Sequence, residues 1–212
     1  LEEAMASKYG NEVTLVADVK LSESLVNTKE ITLNLNGHTI TGTDNATGSY
    51  AVITNKGNLT INGKGAITLT ATNNRGWNAY SSVISNTVGG KLTVNGGTIE
   101  HLGGTDMAYA IDNLTNGKGT YAETVINGGV VKSTYRAVRQ FLNGIEAQNI
   151  LTVNGGTSEH LGGTDMAYAI DNLTNGKGTY AETIINGGEI KSTYRPIRMF
   201  LNGVEADNIL TV

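Results

Sequence analysis

The sequence predicts an all-β solenoid, a parallel β-helix with about three strands in each coil. Three observations carry that prediction. First, residues 92–150 are followed at once by a near copy of themselves, 151–209, at an offset of 59. Repeats of this kind bury a continuous core only by stacking on their neighbours. Second, the apolar residue before each Asn-Gly recurs at Leu35, Ile61, Val94, Ile126, Val153 and Ile185, with Val212 in the equivalent place. The steps are 26, 33, 32, 27, 32 and 27 residues, so two coils make one repeat. Third, two columns of charge alternate in sign from coil to coil.

Taken in order, residues 1–10 read as an N-terminal cap. Leu1, Ala4, Met5 and Lys8 share one side at helical spacing, Glu2 and Glu3 sit where a helix dipole favours acids, and Gly10-Asn11 ends the run. A solenoid must cover its terminal apolar layer, and a short amphipathic helix suits that task. Residues 11–91 form divergent coils, with strand-like segments at 13–17, 21–26, 31–35 and 39–41. The two-coil repeats 92–150 and 151–209 follow, and 210–212 reads as the start of a further, truncated coil. The whole chain is expected to be one β-helix domain.

Each coil contains three kinds of segment. One is rich in Ala and Ile, at 51–55, 82–86, 109–113, 136–140, 168–172 and 195–199. The next is β-branched and ends in Asn-Gly, as at 59–63, 92–96 and 151–155. The third follows within one or two residues, as at 66–69, 98–100, 130–132, 157–159 and 189–191. Asn-Gly often closes a hairpin, but here equivalent residues return at the same place in every coil. That is the pattern of homologous strands stacked ~4.8 Å apart, with Asn-Gly supplying left-handed backbone at the corners. The alternating step also differs from the period of propeller blades, ~40 residues or more.

Stacking makes a forecast about side chains. In the Ala/Ile segments one position runs Asp112, Arg139, Asp171, Arg198; in the third segments another runs Glu100, Lys132, Glu159, Lys191. Opposite charges one strand apart stabilise by ~0.2–1 kcal/mol per pair and like charges oppose by as much, so both ladders fit only an in-register stack. Asn55, Asn86, Asn113, Gln140 and Asn172 would make an amide ladder if they face inward, broken by Met199. Leu114, Phe141, Leu173 and Phe200 are expected to pack in the interior.

Composition narrows the function. The net charge is −4, with no run of Lys or Arg, which gives no reason to expect nucleic acid. Without cysteine there is no disulfide and no thiolate chemistry. No stretch approaches the ~20 apolar residues of a membrane-spanning helix. P-loop, dinucleotide, Gly-x-Ser-x-Gly and Cys/His metal patterns are absent, and no cofactor or metal is implied. Asn58, Asn113 and Asn172 begin Asn-Leu-Thr glycosylation patterns that coincide with the turn–strand phrasing.

The phrase Leu33-Asn-Leu-Asn-Gly-His-Thr-Ile-Thr-Gly42, with Leu-Thr-Val-Asn-Gly-Gly-Thr at 92–98 and 151–157, resembles right-handed parallel β-helix proteins of bacterial secreted and cell-surface type, the broad pectate-lyase-like superfold. The resemblance implies a right-handed helix, an N-terminal capping helix, an extracellular or cell-surface setting and association with glycans. The catalytic patterns of that superfold are not matched: there is no Asp-Asp pair and no Gly-His-Gly, and Arg195-Pro-Ile-Arg198 beside Asp171 is a loose echo of the lyase arginine without an acid cluster for calcium. Asp112 and Asp171, two strand spacings or ~9.6 Å apart, are a marginal pair for hydrolysis, and a salt-bridge ladder accounts for them better.

A duplicated surface favours spacing or repeated binding over one preorganised active site. The sequence therefore reads as a non-catalytic extracellular repeat module, a rod, adhesive or glycan-contacting scaffold, with a polysaccharide lyase or glycoside hydrolase as the alternative. Its partner would be a polysaccharide or a cell-surface glycan. The candidate glycan-binding residues are Tyr109, Arg136, Tyr168 and Arg195, at equivalent positions, with His101 and His160 near in sequence. Their competing role is to cover coil edges.

Overall fold

The computed structural model describes residues 1–6, 10–44, 48–71, 79–104, 106–162 and 167–212. Over these residues the chain visits three parallel sheets in rotation and forms a three-sided β-helix. Sheet A holds Glu12–Thr14, Glu30–Asn34, Asn58–Asn62, Lys91–Val94, Tyr121–Ile126, Gln148–Val153, Tyr180–Ile185 and Asp207–Thr211. Sheet B holds Val19–Leu21, Thr39–Thr43, Ala66–Thr70, Thr98–Leu102, Val130–Ser133, Thr157–His160 and Glu189–Ser192. Sheet C holds Leu25–Asn27, Tyr50–Asn55, Ser81–Thr87, Ala108–Thr115, Arg136–Leu142, Tyr168–Thr174 and Arg195–Leu201. The Asn-Gly segments make sheet A, the segments after them sheet B, and the Ala/Ile segments sheet C.

Period-two alternation selects what enters the core. In sheet A, Leu33, Ile61, Val94, Ile126 and Val153 pair in register and are buried. In sheet B, Ile40, Ile67, Ile99 and Val131 form the matching column, continued by Ser158 and Ile190. The corner from A to B needs left-handed backbone and close stacking. At Gly129, φ is +81°, and an added Cβ would lie 2.5 Å from the carbonyl oxygen of Gly97, one coil away. Only glycine satisfies both demands.

The earliest coils depart from the sequence reading. Leu33, not Leu35, pairs with Ile61, so the first step is 28 residues by subtraction. Leu35 is also fully buried, and it enters the core from the turn, whose backbone is left-handed at Asn36 and Gly37. The segment read as one strand at 21–26 is two, Val19–Leu21 in sheet B and Leu25–Asn27 in sheet C. The helix Glu2–Ala6 caps the first coil through Met5, which is buried in the core. Lys8 and Tyr9, assigned to that helix from sequence, lie outside the described residues. At the other end Ile185, Ile190 and Ile197 are partly buried.

Along the inner face of sheet C runs an amide ladder. Asn27 donates to Asn55, Asn55 to Asn86 and Asn86 to Asn113, at 2.8, 2.8 and 3.2 Å. Gln140 then donates to Asn172 at 3.0 Å, and Asn172 to the Met199 sulfur. Thr124 and Thr183 of sheet A brace it from across the core, each within 2.8 Å of its asparagine. The ladder begins one coil earlier than the sequence reading placed it, at Asn27. Asn113 and Asn172 are fully buried within it, so neither presents its amide as a glycosylation acceptor.

Candidate functional site

The site grows from the outer face of sheet C. In Ala108–Thr115, both Ala110 and Ile111 join the core, which leaves Tyr109 and Asp112 outside. Alternation then turns Asn113 inward and Leu114 outward. The column Leu114, Phe141, Leu173, Phe200 therefore lines the exterior, and the expectation that it packs in the core is corrected. From Ile111 onward the strand alternates regularly, so Asn113 and Leu114 cannot both face inward, and the amide ladder takes the inward place. Leu114, Phe141 and Leu173 are only partly buried.

Two residues before that column in each strand, and so on the same outer face, Asp112 pairs with Arg139, Arg139 with Asp171, and Asp171 with Arg198. Arg139 donates from Nε and Nη2 to the two oxygens of Asp112, at 2.8 and 2.7 Å. Arg198 grips Asp171 in the same manner at 2.6 and 2.9 Å. Arg136 adds a third guanidinium, with Nη1 2.7 Å from Asp171 Oδ2 and Nη2 donating to the Tyr135 hydroxyl. Aromatic rings sandwich the arginines. Arg139 lies 4.0 Å from the Tyr109 ring centre, 4.5 Å from Tyr80 and 4.7 Å from Phe141, while Arg198 lies 4.7 Å from Tyr168. Burial works against the charge on Arg139 and Arg198. The facing carboxylates, Asp112 and Asp171, together with nearby tyrosines outweigh it and hold both guanidinium groups above the ordinary arginine value. Burial also pushes the Tyr109 and Tyr135 hydroxyls up, so both stay protonated.

A groove of about 390 Å³ opens beside this network. Tyr80, Phe141, Leu173 and Phe200 give it apolar walls; Arg136, Arg139 and Arg198 give it charge, and Asn175 and Asn202 add amides. A second recess of about 120 Å³ adjoins it through Tyr80, lined by Thr54, Ser82, Ser85 and Asp112.

The residues singled out from sequence fall in two groups. Tyr109, Arg136 and Tyr168 stand in one column with Arg195, but the first three are almost wholly buried. Tyr109 and Tyr168 act as floor and packing for the arginines, and Arg136 reaches the groove wall. Arg195 is exposed and stacks on Tyr194. His101 and His160 belong elsewhere. They lie in strands of sheet B, His101 next to last and His160 last, are 0% and 1% exposed, and present no ring to the surface. His101 Nε2 meets Ser81 Oγ at 2.9 Å, and Ser81 Oγ donates to Asp44 at 2.9 Å. The acid here lies on the serine, not on the imidazole, so the trio lacks the order of a nucleophile–base–acid relay. His160 Nδ1 is 3.0 Å from Ser192 Oγ, and burial pulls its pKa down.

The second charge ladder runs on the outer face of sheet B, where Glu100, Lys132, Glu159 and Lys191 pair in register. Lys132 Nζ is 2.6 Å from Glu100, whereas Lys191 turns to Glu189 on its own strand at 2.6 Å. Among the described residues no cluster of His, Asp or Glu is arranged to hold a metal ion, and no helix is long and apolar enough to cross a membrane. Sequence reasoning passed over Asn175 and Asn202, although Asn-Gly after each late sheet C segment marks them. It also passed over Tyr80, which stands outside the 59-residue copies and carries no repeat signal. Comparison with protein-family models, with curated proteins and with solved structures returned no match for the chain.

Proposed function

We propose that this chain is a non-catalytic, glycan-contacting repeat module of an extracellular or cell-surface protein, in which the β-helix is the rod and the outer face of sheet C the contact surface. One observation carries the reading: a groove that pairs aromatic walls with guanidinium and amide donors. Ring faces pack on the C–H faces of sugars, and planar donors hold hydroxyl or carboxylate oxygens. Binding is favoured over cleavage because Asp112 and Asp171 each have both oxygens taken by arginine. Neither offers a free oxygen as acid, base or nucleophile.

A glycan array tests this with the intact chain and a Phe200→Ala variant. Selective binding to a subset of glycans, weakened about tenfold or more without the ring, is expected; a tenfold loss corresponds to ~1.4 kcal/mol. Uniformly weak binding to every glycan, or selective binding indifferent to Phe200, overturns the proposal.

A further inference from the structure

The groove wall has a period. Arg139 and Phe141 share one strand of sheet C, and Arg198 and Phe200 occupy the same positions two strands on. In each unit the guanidinium lies beside its own phenyl ring, 4.7 Å from the centre in the first and 5.3 Å in the second. The strand between them contributes Leu173 and Asp171, and Asp171 is closed off by Arg136 and Arg198. A cationic and aromatic unit therefore recurs every two strand spacings, ~9.6 Å, with an apolar, uncharged step between. A β-linked pyranose advances along its chain by about one strand spacing, so two sugars match one period.

Charge adds a second constraint. Arg139 and Arg198 each use Nε and Nη2 on their aspartates, which leaves Nη1 for a ligand. Beyond Tyr80 the adjoining recess changes character to hydroxyls, from Thr54, Ser82 and Ser85, around an Asp112 whose oxygens are both engaged. That end suits a neutral sugar.

We propose that the cleft takes a linear β-linked polysaccharide with a two-sugar repeat, in which one sugar of each pair is a uronic acid and the other is neutral. The uronate carboxylates meet Nη1 of Arg139 and Arg198, and the sugar faces lie on Phe141 and Phe200. This inference rests on the glycan-binding reading above and adds the ligand's charge and its period.

Calorimetric titration with three size-defined β-linked series tests it: hyaluronan oligosaccharides, in which uronate alternates with a neutral sugar; chitin oligosaccharides, which are neutral; and oligomannuronates, which are acidic at every sugar. Hyaluronan should bind best, and its affinity should rise about tenfold from disaccharide to tetrasaccharide as the second unit engages. The gain should weaken at 0.5 M salt, where the screening length is only a few ångströms. Arg198→Gln should remove the step, so that the tetrasaccharide binds no more tightly than the disaccharide. Phe200→Ala, which keeps the Asp171 ion pair, should weaken the tetrasaccharide likewise. Chitin bound as tightly as hyaluronan, with Phe200 still required, overturns the acidic ligand and leaves glycan binding standing. Oligomannuronates bound equally well overturn the alternation. No binding to any series, together with a blank glycan array, removes both readings.

Discussion

The Asp112–Arg139 pair allows a quantitative test of how the outer face is held. Both side chains are 2% exposed, and Asp112 takes both its hydrogen bonds from Arg139. Arg139→Leu would leave a buried carboxylate without its counter-ion, a change that costs ~3–5 kcal/mol. Arg198→Leu should cost roughly half as much. Asp171 would keep Arg136 at 2.7 Å, and Arg198 is the more exposed partner, at 17%. Replacing both members of the inner pair, Asp112→Leu with Arg139→Leu, removes the stranded charge and should recover at least ~2 kcal/mol of the single-variant loss. Urea unfolding followed by circular dichroism gives these values where the m-value is unchanged between variants. If the double variant is as unstable as Arg139→Leu, the loss comes from the rings of Tyr80, Tyr109 and Phe141 around the guanidinium. The stranded-carboxylate account is then wrong. A single-variant loss below ~1 kcal/mol, the range of a surface ion pair, refutes it equally.

Two further outcomes are expected. Ser158 sits in the apolar column between Val131 and Ile190, fully buried and with no hydrogen bond to its hydroxyl, where the first copy has Ile99. Ser158→Ile should therefore stabilise by about 1–3 kcal/mol in the same urea experiment, from added apolar burial and a removed orphan hydroxyl; a lowered midpoint would mean the second copy lacks the space. His160 has its pKa lowered by burial, so the unfolded chain takes up a proton below about pH 6.5 that the folded chain refuses. Stability contributed by the neutral ring is complete above that value and falls as pH drops, until the folded imidazole itself titrates. The midpoint should decline between pH 7.5 and 5.5, and His160→Gln should flatten that decline; an equal slope in both proteins assigns it to other groups.

Much of the architecture was legible because a β-helix writes its pairing partners into the sequence at coil spacing. Glu100 opposite Lys132 and Asp112 opposite Arg139 state a register directly, and no local propensity can imitate an alternation that spans about thirty residues. What could not be read was the direction in which a given residue faces. Ala110 and Ile111 are consecutive and both enter the core, so counting by twos across that point gives the wrong face for everything after it. The misplacement of Leu114, Phe141, Leu173 and Phe200 follows from this, since phenylalanine in an all-β chain is more often core than surface. The amide ladder was the available arbiter. A run of Asn and Gln gains from burial only when stacked on itself, so an inward Asn113 would already have turned Leu114 outward.

The site was harder to see because its residues are conspicuous for the wrong reason. Tyr109, Tyr168 and His101 attract attention as sugar-binding types, yet each is buried and occupied within the protein. The groove lining lies three and five residues further along the strand, in Arg139 with Phe141 and Arg198 with Phe200. The charge ladder looked like a device for register alone, and in sheet B that is its evident role. In sheet C the same ladder has a second consequence. A carboxylate gripped side-on by Nε and Nη2 fixes the plane of each guanidinium, and both guanidinium groups line the groove. Each repeat thus supplies a rigid donor beside a ring, and their spacing is set by the strand stack and not by loop conformation. On the glycan-binding reading proposed above, duplicating coils would lengthen the contact surface, which would give the 59-residue copy a physical meaning.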